Sequence, residues 1–79
     1  MDDFDETGIW ISEDGDVRLE LRSGRFHERQ NSLQLEYRGN FRVRACSIVF
    51  VDDLDGLATT GHFECDGLHL RGTVFRRLH

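Results

Sequence analysis

The 79-residue chain contains no proline and no lysine, and only one tryptophan and one tyrosine. With no proline, its tight turns fall to glycine. Four X-Gly pairs punctuate the chain: Asp14-Gly15, Ser23-Gly24, Asp55-Gly56 and Asp66-Gly67. No apolar run approaches the ~18 residues a membrane-crossing helix needs. The first residues, Met1-Asp2-Asp3-Phe4-Asp5-Glu6, lack the basic and apolar stretches of a secretory signal, so a cytoplasmic location away from membranes is expected. No window shows apolar residues at helical spacing with caps, and no internal repeat or linker is visible. All ten basic residues are arginine, against fifteen acids; the net charge of −5 argues against a nucleic-acid partner, which favours a basic domain. A 9.2 kDa chain buries only roughly 60% of its unfolded surface, enough for one thin core. We therefore expect a single domain over residues 1–79, with 1–6 as a mobile acidic arm.

Between the glycine turns, apolar and polar residues alternate. An X-Gly pair flanked by alternating segments is the strongest short-range signal for a β-hairpin, because glycine tolerates the positive φ of two-residue turns. If each pair is a two-residue loop, Trp10 lies opposite Leu19, Leu21 opposite Phe26, Phe50 opposite Gly61, Phe63 opposite Leu70 and Thr59 opposite Val74. Most apolar side chains then share one face without adjustment between hairpins. From 33 to 45 every odd residue is apolar, aromatic or glycine (Leu33, Leu35, Tyr37, Gly39, Phe41, Val43, Ala45), and Arg38, Arg42 and Arg44 point the other way. This segment exceeds the usual ~5–6 residues of a strand, so a bend at Gly39 is expected to divide it in two. The expected fold is all-β, a small eight-stranded antiparallel up-and-down barrel or sandwich, closed so that no edge is exposed.

Gly8-Ile9-Trp10 resembles the Gly-x-Trp signature that opens lipocalin and avidin-type barrels. Tyr37-Arg38-Gly39-Asn40-Phe41, Asp52-Asp53-Leu54-Asp55-Gly56, Gly61-His62-Phe63 and Asp66-Gly67-Leu68-His69 resemble, over nearly the whole chain, a small uncharacterised bacterial family with a streptavidin-like fold. The resemblance implies an eight-stranded barrel and a ligand site. It does not imply biotin, whose binders are longer and use several tryptophans, and it carries no activity to transfer.

The chemistry-bearing residues are sparse. Asp53-x-Asp55-Gly56 looks like part of a calcium loop whose twelfth position would be Glu64, but Leu57 to Phe63 reads as a strand, so no metal is expected. Cys46 and Cys65 would face each other as two buried thiols. His62 would oppose Arg71, and Glu64 would oppose His69, on the outer face. No serine or cysteine nucleophile has a histidine plainly beside it, so we expect neither catalysis nor a cofactor. The pairing instead directs Ser12, Glu28, Tyr37, Asp52, Thr59 and Arg76 inward with Trp10. Interior charges are costly unless paired, and most of these lie near strand ends. They are the candidate ligand-binding set: Trp10 and Tyr37 as aromatic walls at a barrel mouth, with Arg76 in reach of Asp52. The expected function is non-catalytic binding of a small molecule or short peptide by a monomer with at most weak self-association. The alternative is a protein-interaction module using an exposed apolar patch of Ile9, Ile11 and Phe75, where the first and last strands meet.

Overall fold

The computed structural model describes residues 5–78. Eight strands follow one another: β1 (Gly8–Ser12), β2 (Val17–Arg22), β3 (Arg25–Gln30), β4 (Leu35–Arg44), β5 (Ser47–Asp52), β6 (Ala58–Glu64), β7 (Gly67–Leu70) and β8 (Thr73–Arg77). Each pairs antiparallel with the next, and β8 pairs with β1, closing the barrel. Closure rests on Trp10↔Arg77, Ile11↔Arg76 and Ser12↔Phe75, extended by Glu13 N–H to Val74 O and Leu78 N–H to Ile9 O. Among the described residues there is no helix, and none long and apolar enough to cross a membrane.

The alternation holds along most of the barrel. Leu19, Leu21, Ile48, Leu68 and Phe75 are fully buried, with Trp10, Phe26, Phe50, Phe63 and Leu70 completing the core. The Phe26 and Phe50 rings meet edge to face at 5.2 Å, and Trp10 lies 5.5 Å from Phe63. Arg38, Arg42 and Arg44 are exposed, as the alternation requires. The first two hairpins have the expected register, Trp10↔Leu19 and Leu21↔Phe26.

The later hairpins differ, for identifiable reasons. The Asp55-Gly56 turn spans four residues, not two, because Asp52 N–H bonds Leu57 O and Gly56 N–H bonds Asp52 O. The register slips by two, to Ile48↔Gly61 and Phe50↔Thr59. The Asp66-Gly67 turn is shifted too: Cys65 and Asp66 form the loop, and Phe63 opposes Leu68, His62 opposes His69 and Glu64 opposes Gly67. Side chains alternate with a period of two, so slips of two leave every face unchanged.

Three further connections are not among the expected turns, the first being the loop 31–34 between β3 and β4. Ala45-Cys46 links β4 to β5, with Ala45 at φ +53°. Arg71-Gly72 links β7 to β8. Its φ values of +52° and +75° nearly repeat those of Ser23-Gly24, +52° and +77°. This last turn shifts β8 by one position and inverts its faces, so Phe75 points into the core and Val74 and Arg76 point outward. The count of eight survives because β4 is one continuous strand, not two, while the C-terminal segment supplies two. Gly39 marks where β4 changes partner, opposing Phe26 of β3 and Asp52 of β5.

The acidic arm expected over 1–6 lies mostly outside the described residues. Of its described part, Glu6 O accepts the Trp10 indole N–H at 3.0 Å, and Asp5 Oδ1 accepts Thr7 N–H.

Candidate functional site

The loops 13–16, 31–34, 53–56 and the Arg71-Gly72 turn gather at one end of the barrel; Ser23-Gly24, Ala45-Cys46 and Cys65-Asp66 lie at the other. The first end opens into a cavity of about 320 Å³. Phe26, Phe50 and Leu70 form its floor. Tyr37 and Leu57 stand at its rim, and Glu28, Asp52, Asp55, Thr59 and Arg71 supply the polar groups. The volume is at the lower end of the roughly 300–1,000 Å³ typical of ligand pockets.

Glu28 is the polar centre. Its position on β3, between Leu19 and Tyr37 in neighbouring strands, turns the side chain inward. The residue is only 4% exposed. A carboxylate so placed needs partners. The Arg71 guanidinium reaches both Glu28 oxygens from one nitrogen, at 2.8 and 2.9 Å, and Gln30 Nε2 donates at 2.8 Å. Among the described residues no buried side-chain polar atom is left without a partner. Asp52 and Asp55 build the four-residue loop, their Oδ1 atoms accepting Leu54 N–H at 2.7 Å and Leu57 N–H at 2.9 Å. Such local carboxylate caps favour a longer turn over the tight two-residue one.

The structure thus brings together Glu28, Tyr37, Asp52 and Thr59, and leaves out three members of the expected set. Trp10 is buried with its ring toward the other end, against Phe63, with the Arg77 guanidinium 4.8 Å above it. Ser12 is consumed by the β1–β2 loop, donating to Asp14 Oδ1 at 2.7 Å and accepting Val17 N–H. Arg76 lies on the outer face, 3.7 Å from Glu13, because the Arg71-Gly72 turn inverts β8. The expected Asp52–Arg76 pair does not form. Arg71, Gln30, Asp55 and Leu57 were missed. The signal for Arg71 was present as a fifth X-Gly pair, obscured because arginine is not a usual turn residue.

The alternative patch does not assemble either. Phe75 is 2% exposed, and Ile9 and Ile11, both half-buried, face Glu20, Arg18 and Arg76 across the neighbouring strands. The two cysteines are exposed free thiols, and Cys46 lies opposite Phe63, its carbonyl accepting the Phe63 N–H.

Two clusters lie outside the mouth. Ser47 Oγ and His62 Nδ1 are 3.4 Å apart on the outer face, a serine–histidine contact the sequence reading did not foresee. Among the described residues His62 has no carboxylate partner to orient it. At the far end Glu64, Asp66 and His69 place one ligand atom each within 4.8 Å of the others. His69 Nε2 donates to Asp66 Oδ1 at 2.6 Å. This bond is the main cause holding the His69 imidazole above its ordinary pKa and the Asp66 carboxyl below its own. Glu64 belongs to this trio, at the opposite end of the barrel from the Asp53 loop with which a calcium pattern would have joined it.

Fold and site together define a closed eight-stranded mini-barrel with a charged, aromatic-walled cavity at one mouth. The chain belongs to the Atu4866 family: residues 3–77 match the family described as Agrobacterium tumefaciens protein Atu4866. The solution structure of the protein Atu4866 from Agrobacterium tumefaciens is 32% identical with a TM-score of 0.73, over 99% of this chain and 100% of that one. No curated protein matches the chain.

Proposed function

We propose that the protein is a non-catalytic binder that holds a small molecule, or the end of a short peptide, in the mouth of a streptavidin-like barrel. The observation that carries this reading is the 320 Å³ cavity, in which the buried Glu28 carboxylate, paired with the half-exposed Arg71, meets the aromatic walls of Tyr37 and Phe50. Concave sites with apolar walls and a few convergent polar groups are where barrels usually take ligands. The pocket does not depend on Arg76, since Arg71 reaches the same opening from the neighbouring turn. An interaction module on the outer face loses its main support with Phe75 in the core.

Glu28, Asp52, Asp55 and Arg71 supply the mouth with charged groups that can orient a ligand. Ligand-observed NMR against a metabolite library tests the reading. A binder should shift amide resonances of Tyr37, Asp52, Leu57 and Thr59, and Arg71→Gln should weaken the response. A library that moves none of these resonances would remove the proposal.

A further inference from the structure

Resting on that reading, we infer that the mouth selects a cationic ligand, a primary ammonium carried on a small flat apolar group. The lining holds three carboxylates, Glu28, Asp52 and Asp55, and one cation, Arg71. The charge of Arg71 is balanced by Glu28, both of whose oxygens its Nη2 contacts, so the net charge facing an incoming ligand is that of Asp52 and Asp55. Among the described residues neither aspartate has a cationic partner. Each uses Oδ1 to accept one backbone N–H of its own loop, which holds the carboxylate in place.

An ammonium group offers three donors to such acceptors. A carboxylate ligand would meet two like charges, and juxtaposed like charges exclude a partner more strongly than matched ones attract it. The net charge of −5 acts in the same sense at longer range. Tyr37, 37% exposed at the rim, presents a ring on which a cation or flat group can lie. The Phe26–Phe50 floor is apolar, so the head should carry a compact hydrophobic group.

Benzylammonium, benzyl alcohol and benzoate share a ring and differ in charge, and each can be titrated into ¹⁵N-labelled full-length protein. Benzylammonium should shift the amides of Tyr37, Leu57, Thr59 and Arg71 saturably, and bind about five- to tenfold more tightly than benzyl alcohol. In the double variant Asp52→Asn, Asp55→Asn each side chain keeps the carbonyl oxygen that caps the loop but loses its charge. That variant should lose most of the preference and retain the wild-type spectrum elsewhere. Equal or tighter binding of benzoate would overturn the charge inference and leave the pocket standing. So would ammonium-induced shifts spread over the acidic surface while benzyl alcohol shifts the mouth. If none of the three probes moves the mouth amides, the ammonium inference falls, while the metabolite library decides the binding reading separately. Should the double variant not fold, the wild-type ranking of the three probes decides alone.

Discussion

Trp10 shows how much one side chain can carry in so small a barrel. Its ring is 5% exposed, its indole N–H is bonded to Glu6 O, and it touches Phe63 and Arg77. Truncating a large aromatic core side chain typically costs ~3–5 kcal/mol, comparable with the whole stability of a small domain. Trp10→Ala should therefore leave a largely unfolded chain at room temperature, read by urea unfolding or loss of amide dispersion. An unchanged unfolding midpoint would refute the packing described.

His69 carries a pH dependence at the same scale. Its bond to Asp66 is the largest cause raising its pKa from 6.5, with Asp66, Glu64 and Glu13 adding Coulombic support, and it lowers Asp66 from 3.8. A group whose pKa rises on folding stabilises fully below its unfolded value and loses that contribution as pH climbs through the folded one. A group whose pKa falls on folding stabilises above its unfolded value and loses that contribution as pH drops through the folded one. The pair is thus at full strength between about pH 4 and pH 6.5. NMR titration should show His69 protonating above 6.5 in the native protein, and Asp66→Asn should move it back down. A His69 that titrates at 6.5 or below in the wild type would contradict the bond.

Among the elements, β4 illustrates why a sequence pattern can be right in its faces and wrong in its segmentation. The alternation over 33–45 correctly assigned Phe41 and Val43 inward and the arginines outward, and it singled out Gly39 as exceptional. Gly39 does not break the strand; it lets two others approach. A Cβ there would lie 2.0 Å from the Val51 carbonyl oxygen and 2.6 Å from Phe26. Backbone cannot yield as a flexible side-chain end can, so Gly39→Ala should destabilise by about 1–3 kcal/mol. Gly15→Ala, with open space around its Cβ position but φ +80°, bears only the local strain of that conformation. A melting comparison in which Gly39→Ala is harmless would mean that β3 and β5 approach β4 at Gly39 less closely than described.

At the scale of the whole molecule, closure is the decisive interaction. An eight-strand meander left open would expose the edges of β1 and β8, each a row of unpaired backbone groups. The β1–β8 ladder covers both edges and buries Phe75. Removing residues 73–79 should therefore cause loss of the cooperative unfolding transition and a tendency to associate, seen by circular dichroism and light scattering. A truncated chain that remains monomeric and melts cooperatively would show that the barrel does not need its last strand. The mouth should fail with it, because Arg71 hangs on the turn that β8 anchors.

Inner and outer faces from β1 to β7 and the special place of Gly39 can be read from local rules, whereas the count of eight comes out right only because one division too many at Gly39 offsets one too few at Arg71-Gly72. X-Gly pairs, period-two alternation and the crowding of side chains act between residues close in the chain. Loop length and register could not be read, because a slip of two residues returns every side chain to the same face and leaves the hydrophobic pattern unaltered. Hydrogen bonds that Asp52 and Asp55 accept from N–H groups of their own loop chose the longer turn, and closure of β8 on β1 chose between the two faces of the last strand. That last choice placed Arg71, not Arg76, beside Glu28, and put Phe75 in the core. A single two-residue turn shifts parity by one, and the pairing of β8 with β1 fixes which arginine, among the described residues, supplies the mouth's cation.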